Sequence, residues 1–489
     1  MRILALLALL LPVALRADDD PAAGLADDLK KLLDVFTILD QQAADPISPD
    51  QALYQGAIPG MLRTLDPHSI FFDPDQFQQL QQMQRSESKG FGTIVSINPG
   101  QVTILQTMEG SPSAKSGLSA GDEILAINNI PLGRLMPEQL VQLLSQARQQ
   151  AAVLDVHKPG NVRTFRLTLS PELIDAPSVD RAFQIQPGIG YLRIKSFEEP
   201  TGKLVKTTIE KLGGEGLKGL LIDLRANPGG AVQSAIDVAS LFLQPGQVVF
   251  TVRARTEQKQ EALVPALAKP YTFPVAVLMD EMSASAAEIL AGSLQDHDRA
   301  TILGEPSYGK GIVQNVFPLS SNTGLALTIA FYYTPSGRSL QKPLESGSLN
   351  VAAKATPGVF HTDAGREVRG GGGIQPDIAI QPPQASRLVY VLTLSGVLTA
   401  FAGEYVQAHD IRDDFDVTPD LLDELKVYLS ARQIQPGVAE WLRDRDLIQS
   451  KLKQEIVNLK FGVERGDQIE MQRDPVVQRA IQSLSVPLR

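Results

Sequence analysis

The segment SASAAEILAG at 283–292 places Ser285 directly before a run with helical periodicity, with Glu288 three residues on. Locally this spacing is a capping box, in which the serine hydroxyl accepts an amide N–H and the glutamate reaches back. A helix N-terminus also presents unpaired N–H groups and partial positive charge, which suit an oxyanion forming beside a nucleophilic serine. Ser285 is therefore either a cap or a nucleophile, and a nucleophile needs a base. His297 is the histidine nearest to it in sequence, but twelve residues along a helix and its exit carry it about 18 Å away. A second segment, GEPSYGKGIVQ, offers a different base: Lys310 stands between Gly309 and Gly311. Flanking glycines permit close backbone approach and would be wasted around an ordinary surface lysine.

Other chemistries find little support. His68, His157, His297, His361 and His409 are scattered, none in a His-x-x-x-His pair, and cysteine is absent. No metal site, disulfide or thiol nucleophile follows. His68 reads as part of an Asp-Pro turn. GEPSYGKGIV has glycine where a phosphate-binding loop ends in a hydroxyl residue. A formal net charge of −10, with no basic block, argues against nucleic acid as a partner.

The elements that must hold these residues come from a chain of 489 residues, 43% hydrophobic and 20% charged, long enough for about three or more structural units. Residues 1–17, MRILALLALLLPVALRA, have the pattern of a secretory signal peptide, so export to the periplasm or cell envelope is expected; an uncleaved anchor is the alternative. Residues 18–87 read as a helical lead-in, with Leu25, Leu29, Leu32, Leu33 and Phe36 at helical spacing. From 173 to 385 the pattern is α/β, with strand candidates IGYLRIKSF, LKGLLIDL, VAVLMD, ATILGE and LALTIAFYYT; continuous apolar runs of this kind belong to buried strands. SGRSLQKPLES and GREVRGGGGIQPD read as loops. Residues 386–489 read as helical, and RLVYVLTLSGVLTAFAGEYV as a buried helix rather than a membrane span.

Residues 88–172 change to short strands and turns. GFGT at 90–93 and GLSAGDEILAINN resemble a PDZ domain over roughly 90–169. The resemblance implies a carboxylate-binding loop of Gly90, Phe91, Gly92 and Thr93, whose N–H groups hold a peptide C-terminus while an exposed strand edge pairs with its backbone.

NPGG at 227–230, SASAAEILAG, GKGIVQ at 309–314 and YYTPSGRSLQ at 332–341, in this order, closely resemble the C-terminal processing (tail-specific) proteases, Ser/Lys peptidases that carry a PDZ module. The resemblance implies an α/β crotonase/ClpP-like core with an inserted PDZ domain and helical N- and C-terminal regions. By position, Ser285 corresponds to the nucleophile, Lys310 to the general base and Gln314 to the residue that orients the lysine. The spacings, 25 residues from serine to lysine and four from lysine to glutamine, are those of the family. Ala287 departs from the more usual SASASE.

The chemistry agrees with that assignment. Lysine acts as a base when burial away from carboxylates favours its neutral form, so a buried, unpaired Lys310 is expected, and a neutral amide at Gln314 holds it without restoring the charge. The oxyanion donors would be the amide of Ala286 and one glycine of the Gly229–Gly230 pair, without a choice between the two; alone, NPGG is a plain turn. Together these readings give an exported endopeptidase acting on protein tails with free C-termini, with no cofactor or metal, and with an activating adaptor and the oligomeric state left open. The rivals are a non-catalytic PDZ adaptor with a decayed core, and a Ser/His esterase using His297, which would lack the Gly-x-Ser-x-Gly elbow.

Overall fold

The computed structural model describes residues 21–485, apart from 86–88, 99–100, 149, 160, 162, 175–176, 256–258, 343–357 and 382–385. Residues 1–17, expected from their pattern to be a signal peptide, lie outside the described residues.

Two compact units make up the chain. The smaller comprises residues up to 78 together with 316–327. Its helix Pro21–Gln42 carries the leucines predicted at helical spacing, and Leu25, Leu29, Leu32 and Leu33 are solvent-exposed. The lead-in is not purely helical: Ile70–Phe72 is a strand, paired antiparallel in the register Ile70↔Ala326. His68 lies in the preceding turn, where Asp66 Oδ1 accepts from the N–H groups of His68 and Ser69 at 2.7 and 2.8 Å.

The larger unit contains a six-stranded sheet in the order Val179–Gln186, Ile189–Ile194, Gly219–Asp223, Val275–Met279, Ala300–Gly304, Ile378–Ala379. The first pair is antiparallel and the others run parallel. Alternation along each strand splits the apolar runs between two cores. Leu220, Ile222, Val275, Val277 and Ile302 face the helices Thr201–Leu212, Val232–Ala239 and Ala286–Asp296. Leu221, Ala276, Leu278 and Leu303 face the helices Val463–Arg473 and Pro475–Ser483. Both faces being covered is why these strands read as continuous hydrophobic runs. The fifth strand candidate, within Gly324–Tyr333, belongs to a different sheet, where its end pairs with Val248–Ala254.

Residues 93–169 form the expected small β-domain, with strands in the order Thr93–Asn98, Gln101–Thr107, Glu123–Ile127, Ala152–His157, Thr164–Leu169 and a helix Pro137–Ala147. Thr93–Asn98 is an edge strand. The C-terminal helices Arg387–Leu394, Val397–Ala408, Pro419–Ala431 and Val438–Phe461 enclose a separate core around Leu425, Trp441, Ile448 and Leu452.

Two expectations need correction. RLVYVLTLSGVLTAFAGEYV is not one helix: it breaks at Gly396, which adopts φ 63°, and the two halves meet at 61°. A left-handed backbone favours glycine and ends the helical ladder. Among the described residues, no single helix is long and apolar enough to cross a membrane. GREVR is not a loop either, because Glu367–Arg369 pairs with Val359–His361 as a two-stranded ribbon. The following glycines 370–373 hold no regular element, as expected.

Candidate active site

Three neighbouring parallel strands end in the three loops that carry the candidate residues. Gly219–Asp223 leads to NPGG, Val275–Met279 to Ser285, and Ala300–Gly304 to Lys310. Loops beyond the carboxyl ends of parallel strands are the usual place for a site in an α/β sheet.

Ser285 starts the helix Ala286–Asp296 with φ 55° and ψ −114°. Such a backbone is rare for a residue with a side chain and stores about 1–3 kcal/mol of strain. The capping box is only half formed. Glu288 Oε2 accepts from the Ser285 N–H at 2.8 Å, but the Ser285 hydroxyl makes no cap bond to the helix. The hydroxyl is thereby left available for chemistry.

Glu288 does more than cap. It is fully buried, and its carboxylate accepts four hydrogen bonds. Oε2 takes the N–H of Ser285 at 2.8 Å and that of Lys310 at 2.9 Å; Oε1 takes the Gly309 N–H at 2.8 Å and the Ser307 hydroxyl at 2.5 Å. One oxygen therefore holds the serine turn and the lysine turn within two hydrogen bonds of each other. Burial pushes this carboxyl above its ordinary range, against the pull of the four donors. Only the local half of this arrangement, Ser285 with Glu288, is legible in the sequence. The missed signal was a glutamate on a helix whose other residues are all small, apolar or otherwise buried.

The glycines around Lys310 are required by what packs on them. A methyl group on Gly311 would fall 2.5 Å from Gln341 N, and one on Gly309, at φ +89°, would fall 2.7 Å from Lys342 Cβ. The 332–342 segment braces this loop directly. Tyr332 N–H donates to Gly311 O at 2.8 Å, Lys342 N–H to Gly309 O at 2.9 Å, and Gly311 N–H to Gln341 Oε1 at 3.1 Å. Lys310 is half-buried rather than buried, a correction to the expectation. Among the described residues no carboxylate pairs with its side chain, and it forms no hydrogen bond with Ser285 Oγ. Gln314 is the third residue of the strand Ile312–Pro318 and is half-buried.

NPGG lies against the serine turn. Asn227 is fully buried; its C=O accepts from Ala284 N–H at 2.9 Å, and its Nδ2 donates to Ile194 O at 2.7 Å. Gly229 N–H is already committed to Asn227 Oδ1 at 2.8 Å. Among the described residues, the N–H groups of Gly230 and Ala286 have no protein acceptor. A Cβ on Gly229 would come within 2.8 Å of Ser285 Cβ and 2.9 Å of Ala286 N, so the turn touches the serine. A Cβ on Gly230, at φ +138°, would fall 2.1 Å from Phe197 O. Gly230→Ala should therefore displace this turn and lower kcat about 10²- to 10³-fold, the usual cost of losing an oxyanion donor; steady-state kinetics showing wild-type kcat in the folded variant would remove Gly230 from the site.

His297 caps the far end of the Ser285 helix. Its Nε2 donates to Val248 O at 2.8 Å, and Nδ1 contacts Asp363 Oδ2 at 2.7 Å. Both ring nitrogens are engaged a helix length from Ser285, so His297 cannot serve as its base. Among the described residues no cluster of side chains could hold a metal ion.

At the 90–93 loop, Phe91 O accepts from Ser113 N–H at 3.0 Å and Gly92 O from Met108 N–H at 2.8 Å. In a trans peptide the N–H opposes the C=O, so the N–H groups of Gly92 and Thr93 are turned away from those donors. Gly92 adopts φ +73°, and a Cβ there would lie 2.2 Å from Ser111 Cβ. Gly90, Phe91, Gly92 and Thr93 all line a cavity of about 720 Å³, within the size range of small-ligand sites.

The model of peptidase family S41 matches residues 188–347, and a PDZ-domain model matches 103–158. A carboxy-terminal-processing protease of Bartonella bacilliformis is 36% identical over 304 residues, covering 60% of this chain and 68% of that protein. A carboxyl-terminal-processing protease of Synechocystis sp. is 35% identical over 292 residues, covering 58% of this chain and 68% of that protein.

Proposed function

Because the chain belongs to the carboxy-terminal-processing proteases of peptidase family S41, serine-type peptidases, here with a PDZ domain, we propose that it cleaves proteins near free C-terminal tails with Ser285 as nucleophile and Lys310 as general base. Ser285 Oγ attacks the scissile carbonyl carbon while its proton passes to neutral Lys310 Nζ. The carbonyl oxygen becomes an oxyanion held by the N–H groups of Ala286 and Gly230. Lys310 then returns the proton to the departing amine as the C–N bond breaks, leaving an ester on Ser285. Water, deprotonated by Lys310, hydrolyses that ester and restores the hydroxyl. Gln314 orients the lysine amine.

The observation that carries this reading is the Glu288 carboxylate. It ties the amides of Ser285 and Lys310 together in a buried setting while leaving the serine hydroxyl free. Lys310 is half-buried, and among the described residues no carboxylate pairs with its side chain.

The PDZ loop is assigned the tail's terminal carboxylate and the strand edge Thr93–Asn98 its backbone. The pattern of residues 1–17 supports export.

Intact-mass analysis of a tailed substrate tests both halves. Wild type should release a C-terminal fragment and Ser285→Ala none. The same tail ending in an amide should be cut more slowly at subsaturating concentration. Fragments from Ser285→Ala would overturn the catalytic assignment, and equal cleavage of acid and amide would overturn PDZ-directed selection.

A further inference from the structure

The cavity beside the 90–93 loop is not built by the PDZ domain alone. Its floor is apolar, with Leu105, Leu118, Ile124 and Leu144. Another wall is the helix Val438–Phe461, which contributes Gln454, Glu455 and Asn458. The end of that helix is tied to the PDZ domain, where Val463 N–H donates to Gln106 Oε1 at 3.1 Å.

Among the described residues, three buried atoms of the lining have no hydrogen-bond partner: the Ser113 hydroxyl, beside the 90–93 loop, and Glu455 Oε2 and Asn458 Oδ1, on the helix. Ser113 is fully buried. Buried polar atoms are nearly always paired, and an orphan in a cavity wall marks a place where a ligand completes the set. The orphans differ in kind. A hydroxyl can donate, whereas the carboxylate oxygen of Glu455 and the amide oxygen of Asn458 only accept. A ligand meeting both sides must bring an acceptor to the PDZ side and a donor to the helix side.

Two of the cations that line the cavity are already committed to other carboxylates. Arg181 is paired with Asp467 at 2.8 Å, and Arg193 with Asp180. Glu455 itself hydrogen-bonds the Thr399 hydroxyl; burial raises its pKa, while Thr399 and then Lys451 lower it and Glu470 raises it.

Resting on the tail-recognition reading above, we propose that the helical C-terminal region gives the tail a second point of recognition. Ser113 adds its hydroxyl to the N–H groups of Gly92 and Thr93 around the terminal carboxylate, and Glu455 Oε2 accepts a hydrogen bond from a cationic side chain a few residues upstream. A lysine or arginine suits a carboxylate best because the bond is charge-assisted. A cavity of about 720 Å³ is within the size range that holds small ligands.

Fluorescence anisotropy on full-length Ser285→Ala protein provides the test. Labelled eight-residue tails end in leucine and carry lysine or norleucine at each of the four positions before it. At one position lysine should bind about tenfold tighter than norleucine, and Glu455→Gln should reduce that advantage below about twofold. Ser113→Ala should weaken free-acid tails about tenfold and leave amidated tails unchanged. Both variants are nearly isosteric, and the lysine-norleucine comparison needs neither of them. Equal binding of lysine and norleucine at every position, or a lysine advantage that survives Glu455→Gln, overturns the assignment of Glu455. Wild-type binding of free acids by Ser113→Ala overturns that of Ser113. Amides bound as tightly as acids would sink the tail reading itself and this proposal with it, an outcome distinct from acid-dependent binding without a lysine preference.

Discussion

Lys310→Arg should fold, yet turn over substrate about 10⁴-fold more slowly than wild type. Guanidinium stays protonated at any working pH, so it can occupy the space but cannot take the Ser285 proton. The backbone bond from residue 310 to Glu288 does not depend on the side chain, and the bracing of Gly309 and Gly311 is also main-chain. Loss of activity without loss of stability is therefore the expected pattern. His297→Ala provides the contrast and should keep most activity, because that ring serves Val248 and Asp363 at the other end of the helix. Matched melting curves with single-turnover rates decide the matter: near-wild-type turnover by Lys310→Arg would end the Ser/Lys mechanism.

Glu288→Gln should lower kcat about 100-fold with little change in KM, since misplacing the reacting groups by about 1 Å costs that much. The substitution is nearly isosteric but turns one of the two acceptor oxygens into an NH₂ group. At least one of the backbone N–H groups of Ser285, Gly309 and Lys310 then faces a donor instead of an acceptor. Loss of stability should be about 1–3 kcal/mol, and it should depend on pH with a definite sign. Burial raises the folded carboxyl above its unfolded value, so the folded wild type binds more protons between the two values and loses stability as pH rises through them. The glutamine variant has no such term. Its deficit relative to wild type should shrink as pH rises from the ordinary carboxylate range through the folded value, as read from urea midpoints. A deficit that widens instead, or a change confined to KM, would contradict the clamp.

Much of this arrangement was legible in the residues, for reasons that differ between elements. The parallel strands announced themselves because both faces of the sheet are covered, so Leu220 to Ile222 and Val275 to Leu278 are apolar without alternation. Ser285, Lys310 and Gln314 stood out by motif and spacing. Which glycine of NPGG keeps a free N–H was not legible, because the answer lies in where the Asn227 side chain turns. The reach of Glu288 to the lysine loop was hidden as well: a contact within four residues already accounted for it, and its partners at 307–310 lie on another strand's loop. The strand at 367–369 was masked by the glycines beside it, since its pairing partner gives no periodic signal of its own.

One face of the catalytic sheet is closed by Val476, Val477, Ala480 and Ile481, and Asp474, at the start of that helix, holds Arg225 at 2.6 Å, two residues before Asn227. The consequence is one of timing. A ribosome that has delivered Ser285, Lys310 and both glycines of NPGG has not yet delivered the cover for one face of the sheet that positions them, because Leu221, Ala276, Leu278 and Leu303 pack on residues that end at 481. At synthesis rates of about 5–20 residues per second, the interval is on the order of ten to a few tens of seconds.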